Sequence, residues 1–322
     1  NGKSTTSKLI YEVLKYHKKD VRLVGNIGNP ILNEKNIKKN TIFVIEASSY
    51  QIDYSKYFET DIALILNISP DHIERHKTFH NYAKAKIKLI TKQKKNSIAL
   101  IEKNSKVITD ILRSQKIKSK LKKVDFKDYD NFYKKITNNY FKNLSNIKNL
   151  SFVLKLSNIL KLNDSKILKV VNSFKGLNYR QQIIYNKKNF LIINDSKSTS
   201  FSSTLPLLQS YENVYWILGG LAKKGDKLNL NKKFFKKIKV YIYGTNRAFF
   251  SNVLKSKCRS YSSENLKDIL AKLFSDIKKN SDEKKTILFS PAAASFDQFK
   301  NFEERGRYFN QLLKKYINAQ IF

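Results

Sequence analysis

Seven apolar runs of strand length constrain this chain more than any other feature. In the first half they are IFVIEA at 42–47, IALILNI at 62–68 and SIALIE at 97–102; in the second they lie at 190–194, 214–218, 239–243 and 286–290. Short, nearly continuous apolar runs rich in β-branched residues suit strands buried on both faces of a parallel sheet. Helical spacing fills the intervals, in YAKAKIKLI at 82–90 and NLSFVLKLSNILKL at 149–162. It returns near 202–211, 247–256, 264–279 and 296–317, the last started at Ser295, a candidate N-cap. Strands alternating with helices predict an α/β fold. FKGLNYR at 174–180 carries the glycine and polar residues of a hinge, and the alternation then starts afresh. Two domains are expected, 1–176 and 177–322, each long enough for its own core.

Charge excludes less than its size suggests. With 63 Lys+Arg against 26 Asp+Glu the formal net charge is +37, which on its own would suit a nucleic acid or another polyanion. Yet Lys, Asn and Ile are over-used together, as drift toward A/T-rich codons produces. The lysines are also scattered in short runs such as KQKK at 92–95, with no single basic, aromatic-laced reading element. A basic P-loop protein that binds nucleic acid stays as an alternative. The apolar runs are too short to span a bilayer. One cysteine, Cys258, allows no internal disulfide and fits a reducing compartment.

The chemistry-bearing residues cluster where strands end and helices begin. The chain opens NGKSTT, and Gly2-Lys3-Ser4 match the last fixed positions of the phosphate loop G-x-x-x-x-G-K-[ST]. Leu9, Ile10, Val13 and Leu14 follow at helical spacing, so the motif opens a helix whose N-terminus suits phosphate. The expectation is that the sequence starts inside this loop. Glu46 closes the first strand run, where a magnesium-binding acid sits beside a phosphate loop, although a plain solvated acid would look the same. Asp71 and His72 follow the next run, in NISPDHIERH. On helix 82–90 Lys84 and Lys86 cannot share a face, and Lys86 points to the side of Tyr82. In the second half, IINDSKSTS, ILGGLAKKGD and LFSPAAASFDQF leave their strands through polar loops, suggesting a site assembled between the domains.

Taken in order, these stretches resemble the Mur ligase family. NGKST resembles the family's ATP loop and GNIGNP at 25–30 its second loop. EASSYQ, NISPDHIERH, YAKAKIKLI, NIKN at 146–149, KGLNYR, NDSKSTS, LGGLAKKGD and SPAAASFDQFKNF follow in the family's order over nearly the whole chain. Tyr179 and Gln182 stand where the family usually has His and Glu, and Ser200 where Asn is usual. The resemblance implies a P-loop ATPase-like central domain followed by a Rossmann-like doubly wound C-terminal domain. It also implies that a uracil-nucleotide-binding domain precedes the phosphate loop.

The activity so implied is ATP-dependent amide ligation, adding D-glutamate to UDP-N-acetylmuramoyl-L-alanine through an acyl phosphate in peptidoglycan synthesis. It implies a cytoplasmic monomer with small-molecule substrates and no nucleic acid or membrane partner. Another amide ligase of the superfamily, such as a folylpolyglutamate synthetase, is the alternative that NDSK and SPAAASFDQF argue against. By the same resemblance, Asn1, Gly2, Lys3, Ser4, Thr5, Asn149, Arg180 and Asp195 would meet ATP. Asn26, Ser48 and Gln51 would meet the muramoyl substrate, and Lys197, Thr199, Lys223, Ser295, Phe296 and Phe302 the D-glutamate. Two magnesium ions are implied, one on Ser4 and Glu46 and one on His72 with Lys86 carboxylated on its amine. Lys3, His72 and Lys86 would be catalytic.

Overall fold

The computed structural model describes residues 1–70, 73–187, 189–223, 225–278 and 284–318. The chain divides into two compact units, Asn1–Phe174 and Lys175–Phe322. In the first, helix α1 (Lys3–Tyr16) precedes strands β1 (Val21–Gly25) and β2 (Ile42–Glu46). Helix α2 (Ser49–Tyr54), β3 (Ile62–Ile65), α3 (Ile73–His76), α4 (Phe79–Thr91), β4 (Ile98–Glu102) and β5 (Lys120–Val124) follow. All pairings are parallel, but the strands fall into two separate sheets, β1-β2 and β3-β4-β5. Alternation along β3 and β4 explains the two layers of core. Leu64 and Leu100 join Leu9, Val13 and Leu150 on one face, whereas Ala63, Ile65, Ala99 and Ile101 join Ile87, Ile90 and Ile108 on the other.

The second unit holds one six-stranded sheet: β6 (Gln182–Lys187), β7 (Phe190–Asn194), β8 (Val214–Gly219), β9 (Ile238–Tyr243), β10 (Ser260–Ser262) and β11 (Lys285–Phe289). Its order is β10-β9-β8-β11-β7-β6, parallel except for β6, which pairs antiparallel with β7. Leu191, Ile193, Trp216 and Leu218 face one helical layer, and Ile192, Tyr215 and Ile217 the other. Both faces are covered, as a continuous apolar strand requires. Because β11 lies between β7 and β8, the loops leaving these three strands stand side by side.

One sequence expectation is corrected here. The last helix begins at Phe302 and runs to Asn318; Ser295 does not start it. Residues 295–299 form a turn in which the amides of Gln298 and Phe299 donate to the Ser295 carbonyl. The helix is capped by Asn301, whose side chain accepts from the Glu304 amide at 2.8 Å. Upstream, Ala292 takes a left-handed φ of 55° and Ala294 bridges to Leu221, so the segment is committed to a loop.

Candidate functional site

The first unit builds its candidate site around the start of α1. Gly2 has φ 82°, and a Cβ there would lie 2.1 Å from Asn149 Oδ1, so glycine is what lets helix Leu144–Ile159 close over the turn. The first intrahelical bond runs from the Thr6 amide to the Gly2 carbonyl at 3.0 Å. No side chain caps the helix and its first turn carries no acid, which leaves the amides of Lys3, Ser4 and Thr5 available to an anion. Ser4 and Thr5 are buried, and Thr5 Oγ1 lies 3.5 Å from the Tyr140 hydroxyl.

Glu46 ends β2 only 3 % exposed. One oxygen accepts from Asn26 Nδ2 at 3.1 Å, and the Asn26 amide donates to the Glu46 carbonyl at 2.9 Å. The other oxygen, Oε2, is buried with no partner. An orphaned carboxylate oxygen is costly unless something cationic meets it. Lys3, Thr6 and Glu46 line one cavity of about 540 Å³. Hard oxygen donors beside a helix N-terminus fit a magnesium-bound polyphosphate. Every residue from Thr41 to Ala47 and from Phe58 to Leu64 also lines this cavity. Since neighbouring side chains of a strand point to opposite faces, that pattern means the cavity meets β2 and β3 edge-on.

Other expected residues are placed differently. Ser48 and Gln51 form a capping box at α2, with Gln51 N donating to Ser48 Oγ at 3.2 Å and Ser48 N to Gln51 Oε1 at 2.8 Å. Lys86 is half-buried with Nζ 4.7 Å from the Tyr82 ring centre. Asp71 and His72 lie outside the described residues. Sequence reasoning passed over His76, which is buried, hydrogen-bonds Ser49 Oγ at 3.1 Å and packs between the rings of Tyr50 and Tyr82. Among the described residues no cluster of three or more His, Cys, Asp or Glu could hold a metal, and no helix is long and apolar enough to cross a membrane.

In the second unit the three neighbouring loops carry the expected residues. Asp195 follows β7, buried, with Oδ1 accepting from the Gln181 amide and Oδ2 from Ser290 Oγ, each at 3.0 Å. Behind Ser290 stand Thr204 Oγ1 at 2.8 Å and then Ser198 Oγ at 2.6 Å, a hydroxyl chain that can donate in one direction toward the carboxylate. Burial nevertheless pushes the Asp195 carboxyl up to about 7, against the pull of those hydrogen bonds and of Lys197 and Arg180. Lys197 is half-buried and Thr199 exposed on the same loop. Lys223, half-buried, follows the Gly219-Gly220 pair at the end of β8. Ser295 is buried after β11, Phe296 is 71 % exposed, and Phe302 lies under the Arg180 guanidinium at 5.3 Å.

Residues 1–163 match the model of the Mur ligase middle domain. This chain belongs to the Mur ligase family. The UDP-N-acetylmuramoylalanine--D-glutamate ligase of Rickettsia prowazekii (strain Madrid E) is 35% identical over 333 residues, covering 98% of this chain and 74% of that protein. The same-named ligase of Bartonella henselae is 33% identical over 96% of this chain and 70% of its own length. In structure, the MurF ligase of Thermotoga maritima in complex with ADP matches with a TM-score of 0.67 at 17% identity, over 98% of this chain and 78% of that one. A bifunctional folylpolyglutamate synthase/dihydrofolate synthase from Yersinia pestis matches at a TM-score of 0.60 and 12% identity, over 97% of this chain and 87% of its own. At such identities these likenesses speak for the α/β ligase fold alone, and family membership rests on the sequence matches.

Proposed function

We propose that this chain is an ATP-dependent amide ligase that joins D-glutamate to UDP-N-acetylmuramoyl-L-alanine in peptidoglycan synthesis. The observation that carries the reading is the set of adjacent loops after β7, β8 and β11, which carry Lys197, Thr199, Lys223 and the buried Ser295 at the carboxyl ends of neighbouring strands. Two ammonium groups and two hydroxyls suit an amino acid bearing two carboxylates. The curated relatives that match over 96–98% of this chain are named for D-glutamate.

The chemistry is acid activation followed by amide formation. An oxygen of the substrate carboxylate attacks the γ-phosphorus of ATP, the bond to the β-phosphate oxygen breaks, and ADP leaves. The amine nitrogen of D-glutamate then attacks the carbonyl carbon of the acyl phosphate, inorganic phosphate leaves, and the nitrogen gives up a proton. Phosphoryl transfer of this kind depends on positioning and charge neutralisation. The free amides at the start of α1 and the Lys3 ammonium would hold the phosphates, and Ser4 and Glu46 a magnesium ion that neutralises developing charge. Asn149, Arg180 and Asp195 are assigned to the nucleotide, and Asn26, Ser48 and Gln51 to the muramoyl substrate, the last two beside their part in capping α2. Phe296 and Phe302 are assigned to the D-glutamate pocket.

A second magnesium on His72 and an N6-carboxylated Lys86 belongs to the same reading. Carboxylation would turn the attraction between Lys86 and the Tyr82 ring into repulsion, so the modified side chain would swing off the ring. The enzyme would work as a cytoplasmic monomer on small molecules. The test is amide formation from UDP-N-acetylmuramoyl-L-alanine, ATP-magnesium and labelled D-glutamate. It is run with the 322-residue chain and with a form extended at its amino end by roughly 90–110 residues, a small α/β domain. We expect product from the extended form and little from the chain alone. Equal use of L-glutamate, or no product from either form, refutes the reading.

A further inference from the structure

Arg305 is 0 % exposed, on the helix Phe302–Asn318. Its Nε donates to Ser196 Oγ at 3.0 Å and its Nη2 to the Ser196 carbonyl at 2.6 Å. Ser196 Oγ in turn donates to the Phe302 carbonyl at 2.8 Å. The remaining nitrogen, Nη1, is buried with no partner at ordinary hydrogen-bond geometry, the guanidinium acting on the buried Tyr243 hydroxyl, and lies 3.1 Å from where a Cβ on Gly220 would stand. Such a Cβ would also lie 2.3 Å from the Ala294 carbonyl oxygen. Leu221 and Ala294 then exchange backbone hydrogen bonds of 2.9 and 3.0 Å. One guanidinium thus holds the loop after β7 directly, packs on the backbone after β8, and through that bridge backs the loop after β11.

We propose that Arg305 is a positioning residue for the anionic amino-acid substrate. From behind, it fixes the loops that present Lys197, Thr199, Lys223 and Ser295, and its buried charge raises the positive potential they share. The claim rests on the D-glutamate reading above. A purely structural arginine makes a different prediction. Replacing a buried, incompletely paired cation by an apolar side chain of similar length is often neutral or stabilising. A site whose supporting contacts are lost instead keeps its residues but loosens their geometry.

The experiment uses the amino-extended enzyme and compares Arg305→Met, Arg305→Lys and Ser196→Ala. Arg305→Met should raise the KM for D-glutamate tenfold or more, with the KM for ATP within about twofold and the melting temperature little changed. Arg305→Lys keeps the charge and should recover part of the loss. Ser196→Ala keeps the charge but loses the Nε contact, and should shift the same KM to a smaller extent. A folded Arg305→Met with unchanged KM for D-glutamate, or with all KM values rising together, overturns the proposal. Should Arg305→Met not fold, an unchanged KM in Ser196→Ala overturns it instead. Amide hydrogen exchange gives a readout independent of activity: residues 196–199, 220–223 and 292–295 should all exchange faster in Arg305→Met. If the unsubstituted enzyme makes no D-glutamate amide, the functional reading fails while exchange still decides the positioning claim, which unchanged protection in these loops would sink.

Discussion

The buried carboxyl of Asp195 makes the stability of the second unit depend on pH in an unusual direction. In the unfolded chain this group titrates at its ordinary 3.8, and in the fold burial lifts it to about 7. Between those values the native state keeps a proton that the unfolded state has released. Stability contributed by the neutral form is therefore complete below about pH 4 and is lost as pH rises toward 7. The gap, at about 1.4 kcal/mol per pH unit, corresponds to about 4 kcal/mol at pH 8, an upper bound for one group. Asp195→Asn removes the ionisation. Its amide oxygen still accepts from the Gln181 amide, and Ser290 Oγ, already within 2.8 Å of Thr204 Oγ1, can rotate to accept from the new NH2. The assay is denaturant unfolding of wild type and Asp195→Asn from pH 4 to 8, followed by Trp216 fluorescence, since that buried indole hydrogen-bonds the Ser290 carbonyl at 2.8 Å. The variant should gain on wild type from about pH 4 to about 7, level off above that, and be the more stable at pH 8. Parallel pH profiles, or a variant less stable at pH 8, would refute the reasoning.

The site residues make further predictions for the amino-extended enzyme. Lys223→Ala should raise the KM for D-glutamate roughly ten- to a hundredfold, since a charge-assisted hydrogen bond contributes about 1.5–3 kcal/mol; an unchanged glutamate dependence removes Lys223 from the site. Gly2→Ala places a Cβ 2.1 Å from Asn149 Oδ1 at a φ of 82°, so nucleotide affinity measured by ADP titration should fall about tenfold or more. Affinity equal to wild type would mean the turn is not a phosphate cradle. Lys86→Ala should lower the rate by orders of magnitude and recover in part with an acetate-sized acid but not with ammonium compounds, because a metal prefers an oxygen ligand. A solvated lysine would change activity by less than about 0.5 kcal/mol, and that outcome returns Lys86 to the surface.

What the sequence made legible follows from burial. Strands β7, β8, β9 and β11 stand out because both their faces are covered, so their positions are apolar except at Asn194, Lys239, Lys285 and Thr286. Strand β5, KLKKV, has exposed lysines on an outer edge and offers no apolar run to read. The last helix starts later than the sequence suggests because Ser295, after Pro291 and three alanines, looks like a cap, and the left-handed turn at Ala292 leaves no mark in composition. His76 was missed because nothing local distinguishes it from His72, five letters earlier in the same stretch counted inclusively. Arg305 did leave a signal. With Phe309, Leu312 and Leu313 it falls at i, i+4, i+7 and i+8, which places a cation on the buried face of its helix.

The split sheet of the first unit has a consequence for how this chain behaves in a crowded solution. Its outer strand β5 carries Lys120, Lys122 and Lys123, the kind of charge that discourages another chain from pairing there. The inner edges that face the cavity, IFVIE in β2 and IALI in β3, carry no lysine at all. Among the described residues β2 pairs only with β1, and β3 only with β4. Lysines therefore guard one rim and not the gap, whose charge lies instead on Lys3, Glu46, Glu59 and Asp61, so an extended apolar segment that reaches β2 or β3 would meet a less protected strand edge. During overproduction that gap is where foreign β-structure would seed, and aggregation of this chain should begin with strands docking between β2 and β3, leaving the lysine-lined rim bare.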